Sequence, residues 1–197
     1  MLVIGILFFA GISFFQFVSL LCLMVSMAVA AIFFTAFRYA RLISFTDPFA
    51  YFREAGWQLG NALIGIGRGE WFGVGLGNSI QKNLYLPEPH TDFIFAVLVE
   101  EFGVVGSLIL LALYAFLIVG IMMTAIKAIE LGNLFKGLLA FGTGILIALQ
   151  ALFNIGVNLG MLPTKGLTLP FISYGGTSLI IFMFMIGMIL RINYENR

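Results

Sequence analysis

Long apolar runs separated by a few dense polar clusters set the pattern of this chain. A helix that crosses a membrane needs about 20 mostly apolar residues. Four stretches read as such spans and carry no charge: 14–36, 103–126 (the helix beginning nearer Phe93), 137–158 and 176–190. The opening stretch, 2–12, is apolar but too short for a full span. The expected fold is therefore all-α: a polytopic helical membrane protein with four full spans and one partial span at its start. The alternation of a lipid-facing barrel is absent, and in lipid only helices or closed barrels satisfy the backbone. A chain that opens in half a span is expected to be the C-terminal portion of something larger. A cleavable signal peptide is not expected, since the first twelve residues lack a basic leader and run on into more apolar sequence.

Composition supports this pattern. Of 197 residues, 61% are hydrophobic and 10% charged, whereas a soluble domain carries about a quarter charged residues to face water. Lipid must therefore be part of the solvent. A net charge of +1 offers no electrostatic footprint for nucleic acid. Cys22 is the only cysteine, so neither an intrachain disulfide nor a cysteine metal cluster can form.

Two connections are longer than a bundle turn requires. Residues 37–92 hold Trp57, Trp71, Phe72 and Tyr85, which suit a membrane interface, and six glycines from Gly65 to Gly77. Residues 159–175 hold Pro163, Lys165 and Pro170 and end in Ser173-Tyr174-Gly175. Four spans put both connections on one side, with Arg38, Arg41, Arg53, Arg68, Lys82 and Lys165. Lys127, Lys136, Arg191 and Arg197 lie on the other. A raw positive-inside count puts the long connection in the cytoplasm, but the rule weakens for long loops and does not decide orientation here.

The densest polar cluster is Leu86-Pro87-Glu88-Pro89-His90-Thr91-Asp92. Its prolines hold the backbone out of helix until His90. Asp92 then stands at the start of a helix, where Thr91 or Asp92 either caps the helix or serves chemistry; the two readings are evenly balanced. Glu100 lies on nearly the same face about two turns further on and is either functional or ion-paired. Glu101 reads as interfacial. Lys165 either contacts a phosphate or snorkels as a surface lysine. His90 has no second His or Cys at metal-ligand spacing. Arg68, in Gly67-Arg68-Gly69, is a weak candidate anion contact, because the glycines spell neither a dinucleotide fingerprint nor a P-loop. Gly156 and Gly160 read as a small-residue helix-packing pair within a span.

The order of several longer strings is more specific. Gly75-Leu76-Gly77-Asn78-Ser79-Ile80-Gln81-Lys82, Leu86 to Phe95, Glu100-Glu101-Phe102-Gly103, Gly160 to Pro170 and Ser173-Tyr174-Gly175-Gly176 follow one another. Together they resemble the SEDS family (shape, elongation, division and sporulation), with the first string and Met161 to Pro170 favouring its cell-division branch. The resemblance runs from about Phe9 onward. It implies the C-terminal portion of a ten-span membrane domain over 1–197, with 37–92 a large periplasmic loop and 159–175 a second one.

It also implies a peptidoglycan glycosyltransferase that polymerises lipid II during cell division, in the bacterial inner membrane at the septum. A class B penicillin-binding transpeptidase and other division proteins would be its partners. Asp92 would be catalytic, as general base or metal ligand. Lys165, Arg68, Glu88, His90 and Ser173 are the substrate-binding candidates. A divalent cation, Mg²⁺ or Mn²⁺, is expected with no identifiable ligand set. Leu84 stands where some relatives have Glu, which removes that carboxylate from consideration. The alternatives are a lipid II flippase or a non-catalytic division scaffold.

Overall fold

In the computed structural model, residues 5, 11–33, 45–52, 56–83 and 85–196 are described. They are all-helical: α1 Phe14–Phe33, α2 Trp57–Gly69, α3 Ile94–Glu130, α4 Leu134–Asn158 and α5 Gly176–Glu195, with no strand among the described residues. The last three are long and apolar enough to cross a membrane, and α1 contains a shorter apolar stretch, Phe14–Met27. The observed helices overlie the four predicted spans. Most of the partial span at 2–12 lies outside the described residues, as do Arg38, Arg41, Arg53, Leu84 and Arg197.

The chain divides into two compact units, 1–39 with 116–148 and 183–197, and 40–115 with 149–182. In the first unit, small residues let helices approach. Ala125, Ala128 and Ala140 are at most 1% exposed, and a Cβ on Gly144 would lie 2.5 Å from Met122. Without a hydrophobic drive between helices in lipid, such close van der Waals packing carries association. The α3–α4 corner is a Schellman turn: Gly132 has φ +80°, its N–H donates to Ile129 O, and Asn133 N–H donates to Ala128 O.

The second unit holds both long connections and departs from expectation in three places. First, residues 37–92 are not one loop, because α2 folds within them and buries Leu59, Ala62 and Gly65. Ala62 joins Leu86, Phe93, Ala96 and Val97 in a buried apolar cluster, so α2 packs on the start of α3. Trp71 and Phe72 remain outward, 67% and 83% exposed. Second, α4 ends sooner than the small-residue reading assumed. Gly160 has φ +69° and Met161 N–H donates back to Gly156 O, so Gly160 terminates the helix rather than packing within it.

Third, α3 is two helical segments joined at Gly103, where φ is 69° and ψ is −169°. The break would orphan carbonyls before it and N–H groups after it, at serious cost near lipid. The chain answers with its own backbone. Val74 and Gly75 N–H donate to Glu100 and Glu101 O, and Val104 and Val105 N–H donate to Glu70 and Trp71 O. Glycine is required where these backbones touch. A Cβ would lie 2.0 Å from Val99 O at Gly69, 2.1 Å from Glu101 O at Gly73, and 2.4 Å from Trp71 O at Gly103. The glycine-rich stretch is a backbone clamp.

Candidate functional site

Within the second unit, the two long connections are laced together around Asp92. A polar ridge on α4 does most of the lacing. Gln150, Asn154 and Asn158 recur every fourth residue and so share one face. Gln150 Nε2 donates to Thr168 O at 3.0 Å. Asn154 Nδ2 donates to Leu167 O and, at 2.9 Å, to Asp92 O. Asn158 Nδ2 donates to the same Asp92 carbonyl at 3.0 Å. Ser173 adds a clip, its hydroxyl donating to Thr91 O and accepting from Leu169 N–H. Tyr174 N–H donates to His90 O.

This frame bears on the capping reading of Thr91 and Asp92. Asn158 Oδ1 accepts the Ala96 N–H at 3.1 Å, so the first turn of α3 is capped by a side chain from α4. Thr91 Oγ1 is turned instead toward Glu88, donating to its carbonyl and carboxylate at 3.2 and 3.1 Å. The Asp92 carboxylate accepts no hydrogen bond from the described residues. It packs against Gly166, where a Cβ would lie 2.8 Å from Oδ2. A larger residue at 166 would displace the carboxylate, so the absence of a side chain there brings the 163–169 loop up to it. Burial, and then the nearby Glu88 charge, push the Asp92 carboxyl above the ordinary aspartate range.

The other predicted residues divide. Lys165 is exposed beside Gly166, on the loop that abuts Asp92. Glu88 and His90 are exposed in the same polar cluster. Glu88 is held with φ +54° in a tight turn, and His90 lines a cavity of about 540 Å³ with Phe171, Tyr174 and Leu179. Ser173 belongs to the frame, its donor committed to Thr91. Arg68 is not part of the cluster. Its Nη1 lies 3.1 Å from Oε1 of Glu100, a fully buried carboxylate that also accepts from Ser79 Oγ, Ile80 N–H and Gln81 N–H. Glu100 is thus ion-paired and structural, and Glu101 pairs with Lys82 at 2.6 Å.

Asn154 and Asn158 were not among the sequence candidates. The signal was present: three amides at i, i+4 and i+8 inside a charge-free span, each costly in lipid unless partnered.

Comparison with known proteins identifies the family of the chain. The whole chain, residues 1–197, matches the family model of FtsW, RodA and SpoVE, described as a cell cycle protein. It is 50% identical over 98% of its length to a probable peptidoglycan glycosyltransferase FtsW from Pseudomonas fluorescens, covering 47% of that protein. A second such protein, from Halomonas elongata, is 48% identical over 99% of the chain, which covers 49% of it. The chain spans about half the length of these curated relatives. In three dimensions it matches a chain from work on the structural coordination of polymerization and crosslinking by a peptidoglycan synthase complex. The TM-score is 0.72 and the identity 26%, covering 97% of this chain and 52% of that one. The chain is a multi-pass membrane protein and belongs to the FtsW/RodA/SpoVE family of cell cycle proteins.

Proposed function

We propose that this chain carries the Asp92 half of a peptidoglycan glycosyltransferase that polymerises lipid II during cell division. The observation that carries the reading is the state of Asp92: a half-buried carboxylate with no hydrogen-bond donor among the described residues, in a loop cluster braced by amides on α4. A side chain held in place but left unpaired is available to an incoming group.

In the proposed step the 4-hydroxyl of one sugar attacks C1 of a second sugar. Asp92 takes the hydroxyl proton as the new C1–O bond forms and the bond from C1 to the lipid pyrophosphate breaks. A raised carboxyl pKa makes it a better proton acceptor than an ordinary aspartate. Lys165, exposed on the adjoining loop, would offset charge on the departing pyrophosphate. The exposed His90 and Glu88 would contact the incoming substrate, whereas Ser173 would contribute through the frame and Arg68 through its ion pair with Glu100.

Among the described residues, no three His, Cys, Asp or Glu side chains gather as a metal cluster would. A Mg²⁺ or Mn²⁺ ion would instead fit Asp92, with Glu88 nearby, since magnesium commonly keeps one or two carboxylates and takes its other ligands from phosphates and water. Bound there, it would supply charge neutralisation at the pyrophosphate. We further place the protein in the bacterial inner membrane at the septum. Residues 37–92 and 159–175 face the periplasm, and the partner is a class B penicillin-binding transpeptidase.

A transporter would present broken-helix ends to its cargo. The break at Gly103 offers none, because Glu70, Trp71, Val74 and Gly75 occupy its free backbone groups. The test is lipid II polymerisation by this chain, alone and extended upstream to the length of its relatives, with and without Asp92→Asn. Loss of glycan product in the extended Asp92→Asn protein, with folding retained, is expected. Full activity of that variant would reject Asp92 as the base.

A further inference from the structure

The first unit carries a feature that polymerisation does not use. Where the start of α4 meets the end of α5, a groove of about 450 Å³ opens between Lys136 and Arg191 at its mouth and Leu139, Phe184 and Met188 along its walls. Gly187 forms part of the lining, and a Cβ there would meet no atom within 4 Å. The trough is therefore open where most helix surfaces carry a side chain. From Arg191 to Phe184 it descends about 10 Å along α5, two helical turns toward the charge-free part of the span.

The mouth is organised rather than loosely charged. Glu195 accepts from Lys136 Nζ and Arg191 Nε, each at 2.7 Å. Arg191 also lies over the Tyr194 ring, 5.9 Å from its centroid. Its two terminal nitrogens have no partner among the described residues, and its side chain is 69% exposed. Two cations sharing one carboxylate leave the mouth with one positive charge in excess, above an apolar channel.

We propose that this groove binds one anionic phospholipid, its phosphodiester on Arg191 and Lys136 and one acyl chain in the trough over Gly187. A monoanionic phosphodiester matches the single excess charge. The apolar walls select a lipid over a free anion, because phosphate alone would leave them uncovered. A basic mouth between transmembrane helices is the arrangement that recognises anionic head groups.

Native mass spectrometry of the 197-residue chain, released from micelles with equal dioleoyl phosphatidylglycerol and dioleoyl phosphatidylcholine, tests the proposal. Phosphatidylglycerol adducts should exceed phosphatidylcholine adducts roughly fivefold, the scale of one surface charge. The double variant Lys136→Gln, Arg191→Gln should lose that preference, and Gly187→Leu should lower retention of both lipids. Glu195→Gln releases both cations and should raise phosphatidylglycerol retention, an outcome that still decides the matter if the double variant does not fold. Millimolar inorganic phosphate should not displace the lipid. Equal retention of the two lipids by the unsubstituted chain overturns the proposal. So does unchanged retention in Glu195→Gln or Gly187→Leu, a preference that survives the double variant, or displacement by phosphate.

Discussion

Asp92 stands two residues before the short helical segment that begins at Ile94, and Glu100 lies about 9 Å along that segment's axis from Ile94, yet they are opposite kinds of carboxylate. Glu100 is fully buried and saturated: an arginine, a serine hydroxyl and two backbone N–H groups point at it. Asp92 is half-buried and receives no donor from the described residues. The backbone carbonyl of Asp92, by contrast, takes two amide donors. The fold therefore secures the peptide and leaves the carboxylate open. A buried charge with every lone pair occupied is a structural joint, while a carboxylate with none occupied stays open to a donor.

The largest effect expected from that contrast is kinetic. Asp92→Asn should lower lipid II polymerisation on the order of 10²–10⁴-fold, the usual contribution of a general base, and leave the thermal melt in detergent unlowered. The sign follows from linkage. A carboxyl whose pKa is raised by folding holds a proton that the unfolded chain has released, so stability falls as pH rises through that window. An asparagine escapes this loss. A clear drop in melting temperature would move Asp92 into the same class as Glu100.

Glu100→Ala should do the reverse, costing about 3 kcal/mol of stability by orphaning buried donors of Ser79, Ile80 and Gln81. Arg68→Gln should cost less than Glu100→Ala, because Ser79, Ile80 and Gln81 still donate to the carboxylate. Circular dichroism melts of the two variants make the comparison. Equal losses would mean that the ion pair, rather than the hydrogen-bond hub, secures the 70–82 loop.

The spans were legible because charge-free runs of membrane length have few alternatives, and α3, α4 and α5 overlie them. The loop architecture was not. In α2 the glycines at 60, 65, 67 and 69 lower helix propensity and read as loop, while the use of Gly65 and Gly69 as contact points depends on Gln81 and Val99, which lie elsewhere in the chain. The break at Gly103 was hidden likewise, since one glycine in an apolar run ordinarily costs only about 1 kcal/mol in a helix. For the site, Asp92 stood out by residue type and its proline-rich setting. Its release from capping did not, because that depends on Asn158, 62 residues beyond the Ala96 it caps.

Asn158→Ala tests that dependence. It removes the cap on Ala96 and one of two donors to the Asp92 carbonyl, so about 1 kcal/mol of stability should go with the cap. Polymerisation should fall roughly 10-fold to 100-fold through misplacement of the carboxylate. A loss of stability without loss of rate would make the amide ridge a scaffold indifferent to Asp92.

The smallest effect is the most specific. If Asp92 acts as a base, polymerisation must fall as pH drops through its raised pKa, because the protonated carboxyl cannot accept the hydroxyl proton. Burial is the larger cause of that elevation and the Glu88 charge the smaller. Glu88→Gln removes only the second, so the acid limb of the pH–rate profile should move to lower pH yet remain above the range of an ordinary aspartate. Above the acid limb of both proteins, where Asp92 is ionised, the rates should be nearly equal. Glu88 also accepts from Thr91 Oγ1 through both its carbonyl and its carboxylate. The carbonyl contact survives in the glutamine variant, so the turn itself should hold. A limb that stays fixed in Glu88→Gln while Asp92→Asn is inactive would leave Asp92 essential but assign the limb to another group. A limb that moves to higher pH would reverse the sign of the interaction and remove Glu88 as the second cause.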